Sequence, residues 1–152
     1  MIWARGGDRE GVLTEDFLRQ LHKRMFGNVW KWAGQYRTSN KNIGVFSELI
    51  GTELHKLIDD IRFWIENETF PPDEIAARFH HRLVAIHPFV NGNGRHARLM
   101  TDLLLEKQLG RPRFSWGEAT LEEEGRARSR YIAALRSADQ GDYSLLMQFV
   151  RS

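Results

Sequence analysis

Apolar residues in this chain recur at three- and four-residue intervals in six stretches, most of them ended by a glycine or a proline. That interval is the repeat of an α-helix, whereas a half-buried strand alternates every two residues, so a helical bundle is the first expectation. Thr14 precedes Glu15 and Asp16, and Phe17, Leu18, Leu21 and Met25 then follow until Gly27, the pattern of an amphipathic helix capped at both ends. Leu54, Leu57, Ile58, Ile61, Trp64 and Ile65 mark a second helix, which must end by Phe70-Pro71-Pro72. Asp73 is placed to cap a third, with Ile75, Phe79, Leu83 and Ile86 on its apolar face. Pro88 disfavours helical geometry at His87, so that helix stops there.

A fourth helix starts near Asn93 or Gly94, carries Leu99, Met100, Leu103 and Leu104, and is stopped by Gly110-Arg111-Pro112. It is expected to be the central one. Thr120 with Glu123 has the form of a capping box for a fifth helix through Tyr131, Ala134, Leu135 and Ala138. Gly141-Asp142 restarts a short terminal helix with Leu145, Leu146, Phe149 and Val150. Between the first two helices the helical period is lost, and the stretch from Val29 to Ile43 reads as a turn followed by a short β-hairpin or flap.

The 152 residues, 41% hydrophobic and 28% charged, fit one compact domain without internal repeat or linker. A chain of this size buries roughly two thirds of its unfolded surface, so neither metal nor disulfide is needed to hold it together. No cysteine is present, which removes disulfides, thiolate zinc sites and cysteine nucleophiles together. Lysine and arginine exceed aspartate and glutamate only by 22 to 20 and the two signs are interleaved, so nucleic acid is not the expected partner. No signal-like apolar run opens the chain and no run reaches membrane-spanning length, so no membrane partner and a cytoplasmic location are expected.

Chemistry concentrates in His87-Pro88-Phe89-Val90-Asn91-Gly92-Asn93-Gly94-Arg95-His96-Ala97-Arg98, where the third helix ends and the fourth begins. Gly92 and Gly94 let the backbone approach a ligand, and the exposed N–H groups of a helix's first turn favour phosphate oxygens. Arg95 and Arg98 are three apart, hence on one face, and can converge on one polyanion. His87 stands at the other end of the same loop, as a base for a hydroxyl nucleophile. No Gly-x-Ser-x-Gly elbow or Walker lysine accompanies it, so activation of an external hydroxyl or water is favoured over an acyl-enzyme. A histidine before proline or a Gly-Asn-Gly turn alone is commonplace; their joint spacing is not. His80, His81, His87 and His96 lack the spacing of a histidine-held metal site.

On these residues the chain resembles the Fic/Doc family, whose motif runs His-x-Phe-x-(Asp/Glu)-Gly-Asn-(Gly/Lys)-Arg-x-x-Arg. The likeness extends over residues 14 to 150 and includes Trp30-Lys31-Trp32-Ala33-Gly34-Gln35-Tyr36-Arg37 and Tyr131-Ile132-Ala133-Ala134-Leu135. The bacterial subgroup called mobile mystery protein B is the nearest branch suggested. The resemblance implies an all-α, Fic-type helical bundle with a small β-hairpin flap, one Fic domain over residues 1–152 with 1–13 as an N-terminal extension. It implies transfer of AMP from ATP to a Ser, Thr or Tyr hydroxyl of a target protein. His87 would be the base and Phe89 the anchor of the loop. Asn93 would orient the α-phosphate, Gly92 and Gly94 would supply the anion hole, and Arg95 and Arg98 would meet the β- and γ-phosphates. A flap with Thr38, Ser39, Asn40, Asn42, Ile43 and Gly44 would hold the target by strand-like pairing; its plain reading is a surface hairpin.

Two departures matter. Asn91 stands where the family usually has the carboxylate that holds Mg²⁺, so metal affinity should fall, and a nucleotide-binding regulatory module is the alternative reading. A phosphate-transferring, Doc-like toxin is a further alternative, against which Gly94 stands. Thr120-Leu121-Glu122-Glu123-Glu124-Gly125 is the chain's one match to the family's inhibitory Ser/Thr-x-x-x-Glu-Gly form and makes Glu124 a candidate inhibitory residue. The same residues fit a helix cap, and regulation in trans by an antitoxin-like partner is the other expectation.

Overall fold

The computed structural model describes residues 11–40, 43–118 and 123–152. Among them lie six α-helices and no strand: α1 (Glu15–Phe26), α2 (Ile50–Glu66), α3 (Pro72–Ile86), α4 (Asn93–Lys107), α5 (Glu124–Asp139) and α6 (Ser144–Val150), with one 3₁₀ turn at Ser47–Leu49. The all-α bundle is therefore as expected. The cap of α1 forms as read, with Thr14 Oγ1 accepting the Phe17 N–H at 2.9 Å. Gly27, however, keeps right-handed geometry at φ −62°.

Two other caps differ from expectation. Pro71 is the N-cap of α3 and Pro72 its first residue, a position where a missing N–H is harmless. Asp73 thus sits inside the first turn and pairs instead with Arg151, at 2.7 Å, and Arg111. α5 begins after Glu123, whose side chain makes no cap bond, and Thr120, the other half of the expected box, lies outside the described residues.

α3 and α4 run side by side through the middle of two apolar clusters. Phe79, Leu83, Met100 and Leu104 face α1 and α2. Ala76, Ala77 and Leu105 face α5, α6 and Phe114. Adjacent leucines of α4, both fully buried, therefore belong to different clusters, which makes α4 the central helix that its sequence suggested. No helix among the described residues is long and apolar enough to cross a membrane.

The expected β-hairpin does not form among the described residues of the flap. Its backbone is bonded to the loop after α3: the Arg37 N–H reaches Pro88 O at 2.9 Å and the Val45 N–H reaches Ile86 O at 3.4 Å. Asn40 Oδ1 accepts the Ser47 N–H, and the Arg37 guanidinium takes the carbonyls of Ser39 and Val45. Carbonyls that a partner strand would have used are thus already occupied. Asn42 lies outside the described residues.

Replacing Leu104 by Ala removes a fully buried side chain from the cluster shared by α1–α4. Urea unfolding followed by circular dichroism is expected to register a loss of about 2–5 kcal/mol.

Candidate active site

The loop between α3 and α4, residues 87–92, owes its shape to side chains from elsewhere in the chain. His87 ends α3 in the left-handed region, at φ 54° and ψ 63°. Its N–H still closes the last turn onto Leu83 O, while its carbonyl accepts from Arg37 Nε at 2.6 Å. Arg37 is 3% exposed and donates to the carbonyls of Ser39, Val45, Ile86 and His87. Two of those carbonyls lie at the C-terminal end of α3, where the helix dipole favours a cation. Gly44, at φ +90°, completes the contact: a Cβ there would stand 2.8 Å from His87 Cβ and 2.6 Å from the Arg37 guanidinium. The flap is therefore held directly against His87.

The other half of the loop is held from below. Phe89 is fully buried and stacks on the His22 ring at 3.7 Å. His22 Nδ1 accepts the Gly34 N–H at 2.9 Å, which places the ring's proton on Nε2, and that nitrogen donates to Asn91 O at 3.0 Å. Trp30 and Trp32 stack on one another at 4.6 Å and lean on this imidazole, so they brace His22 and not the flap. Asn93 Oδ1 accepts the Phe89 N–H at 3.0 Å while its Nδ2 donates to Phe89 O at 2.8 Å. Sequence reading gave Asn93 to the α-phosphate; the structure places its amide across the loop, with one N–H still to offer.

Beyond Gly92, itself left-handed at φ 78°, α4 begins with no side-chain cap. Gly92 must be glycine, because a Cβ would strike the Phe26 ring at 2.6 Å. Gly94 is different: it is exposed, and a Cβ there would meet nothing within 4 Å, so the first turn of α4 is open at that residue. Arg95 and Arg98 rise from the same end of α4 onto rings of different helices. Arg95 lies over Phe26 of α1 at 4.9 Å, and Arg98 lies over Tyr131 of α5 at 4.6 Å. Arg98 also lines a cleft of about 520 Å³ with Trp116, Glu118, Glu124 and Arg128, so the candidate inhibitory Glu124 is brought to the same cleft. Thr38, Ser39, Asn40, Ile43 and Gly44 are all exposed.

Mg²⁺ does not find a fitting donor set. Asn91 carries no charge, and its Oδ1 already accepts the Gly92 N–H at 2.8 Å. Among the described residues no cluster of three His, Asp or Glu could hold an ion. Any divalent cation accompanying a nucleotide would be held chiefly by phosphates and water.

The helical fold agrees with what comparison with known proteins finds. A family model described as the Fic/DOC family matches residues 12–105, and the chain belongs to that family. It is 33% identical over 147 residues to protein adenylyltransferase fic-1 of Caenorhabditis elegans, covering 94% of this chain and 27% of that protein. It is 30% identical over 143 residues to protein adenylyltransferase Fic of Drosophila melanogaster, covering 91% and 27%. The chain thus spans about a quarter of the length of these curated relatives. Its fold superposes on residues 134–508 of C. elegans Fic-1 with a TM-score of 0.75 at 30% identity, covering 95% of this chain and 42% of that one. It also superposes on the AMPPNP-bound BepC protein of Bartonella tribocorum, with a TM-score of 0.69 at 19% identity over 91% and 73% of the two chains.

His22 was not singled out in the sequence, and neither Arg37, named only within the Trp30–Arg37 stretch, nor His96, weighed only as a metal ligand, was given a structural role there. Each is polar on an otherwise apolar face or beside one, which was the available signal. His96 is fully buried, with Nε2 on Leu18 O at 2.8 Å, and burial pushes its pKa down to about 3; His80 behaves alike, and His22 is lowered by the same cause. The unfolded chain therefore binds protons near pH 6.5 that the folded chain refuses. Stability is full above that pH and falls as the pH drops towards the folded values. Between pH 6.5 and 5, before carboxylates titrate, urea unfolding is expected to lose stability by up to about 1.4 kcal/mol per pH unit for each buried histidine. His96→Gln should flatten that slope by one histidine's share. Arg37→Lys, whose compact ammonium cannot span four carbonyls, is expected to lower stability by about 2–4 kcal/mol in the same assay at pH 7.5.

Proposed function

We propose that this chain transfers an adenylyl group from ATP to a Ser, Thr or Tyr hydroxyl of another protein, acting as one Fic domain over its whole length with residues 1–13 as an extension. The observation that carries this reading is the uncapped first turn of α4, open at Gly94 and flanked by Arg95 and Arg98, with His87 at the far end of the same short loop. The relatives at 30–33% identity, protein adenylyltransferases, support the same chemistry.

In this reading the N–H groups of Gly94 and its neighbours and the spare amide N–H of Asn93 receive the α-phosphate. Arg95 and Arg98 receive the β- and γ-phosphates, Arg95 swinging away from the Phe26 ring while Arg98 reaches the polyanion from its place on Tyr131. His87 takes the proton of the target hydroxyl as its oxygen attacks the α-phosphorus. The bond from that phosphorus to the bridging oxygen breaks, and pyrophosphate leaves. Positioning and charge stabilisation do the catalytic work. The described flap residues, 38–40 and 43–45, put Gly44 against His87 and would hold the target segment there. An acidic group brought to Arg98, either Glu124 from the same cleft or one from an antitoxin-like partner, would displace the terminal phosphate and switch the site off.

Incubated with ATP, the protein is expected to add the mass of AMP to itself or to a target, by intact-mass spectrometry. His87→Ala should reduce the rate at least ~100-fold. Asn91→Asp should raise the rate in the presence of Mg²⁺ by supplying the missing charge. Nucleotide binding without any adduct, with turnover appearing only in Asn91→Asp, would establish the regulatory-module reading instead, and an adduct of a single phosphate the Doc-like one.

A further inference from the structure

Arg98 is the arginine whose direction is set by a chain of buried groups. Its Cζ lies 4.6 Å from the Tyr131 ring and 5.8 Å from the Trp116 ring, and its Nε is buried without a hydrogen-bond partner. Trp116 is itself tied down, its indole N–H on the Asp102 carboxylate at 3.1 Å. Tyr131 is tied through its hydroxyl, which meets His80 Nε2 at 2.6 Å. His80 is fully buried, with Nδ1 3.4 Å from Thr101 Oγ1.

Proton accounting fixes the direction of this chain. Thr101 donates its one hydroxyl proton to Ala97 O at 2.7 Å. At Nδ1 the imidazole must therefore be the donor, and a neutral ring has a single N–H. Burial keeps His80 neutral, its pKa pushed down to about 3. Nε2 is then a bare lone pair, and Tyr131 must give its proton to it. The phenol oxygen is left as a pure acceptor, on a ring over which the Arg98 guanidinium lies. Remove the lone pair on Nε2 and the phenol is free to turn its proton towards the cation.

We propose that Tyr131, held by His80, is a positioning residue that presets Arg98 for the terminal phosphate of the nucleotide and so lets the site distinguish a triphosphate from a diphosphate. An arginine side chain otherwise loses much of its rotamer freedom when it is fixed on a ligand. Stacking on Tyr131 and the phenol oxygen impose that order before the nucleotide arrives. The proposal rests on the adenylyl-transfer reading, through the role given there to Arg98.

The test is calorimetric titration of the full chain with a non-hydrolysable ATP analogue and, separately, with ADP. Tyr131→Phe keeps the ring and removes the oxygen. It is expected to weaken binding of the ATP analogue about tenfold while ADP binding stays within about twofold. His80→Leu, which does not line the cleft, is expected to do the same, and His80→Gln, which restores an acceptor for the phenol proton, to recover most of the loss. Should His80→Leu fail to fold by circular dichroism, the ratio of the two affinities in Tyr131→Phe decides alone. A Tyr131→Phe protein that keeps the wild-type preference, or loses both nucleotides equally, overturns the positioning role. A wild-type protein that binds both nucleotides alike likewise overturns the positioning role, whereas one that binds neither removes the adenylyl-transfer reading itself, so the two failures are distinct.

Discussion

Everything near the α3–α4 junction depends on a buried guanidinium. Arg37 gathers four carbonyls, two from the flap and two from the end of α3, with no carboxylate among its described partners. Backbone carbonyls at a helix end need partners, and a loop that turns left-handed at His87 cannot supply them by continuing the helix. Arg37 supplies them from a different segment. The same side chain thereby fixes the direction of His87, closes the flap over the junction and removes the need for strand pairing within the flap.

The remaining polar groups of the junction are satisfied in the same way. His22, on the buried face of α1, connects Gly34 to Asn91, and Asn93 folds its amide back onto Phe89. These are specific hydrogen bonds in a dry setting, so each partner lost would leave an unsatisfied group inside. The first turn of α4, by contrast, has no side-chain cap and is exposed at Gly94. A rigid rim around an open set of N–H donors is the arrangement in which oriented dipoles stabilise developing charge without first having to reorganise.

On the other side of α4 a second set of buried groups reaches Arg98. Thr101, His80 and Tyr131 pass hydrogen bonds outward from α4 through α3 to α5. Arg95, over Phe26 at the tip of α1, has no such chain behind it. Two arginines three residues apart are thus differently prepared: one exposed on a single ring, the other held by rings from two elements and oriented by a phenol.

How much of this was legible beforehand follows from what each feature depends on. The helices were, because periodicity, a Thr14 cap and the Pro and Gly stops act within a few residues of themselves. The start of α4 at Asn93 was too, because the Gly-Asn-Gly turn acts locally. Asp73 was misread as a cap, since Pro71-Pro72 decided that end. The hairpin was misread because strand pairing competes with every other donor in reach, and Arg37 is such a donor. Local sequence determined which segments are helical and which loop carries the chemistry. Only the tertiary structure decided that Asn93 spans its own loop, that His22 and Arg37 hold it, and that Tyr131 faces Arg98. Those contacts join residues up to about seventy positions apart, and a hydrogen bond between such groups exists only once packing has chosen their neighbours.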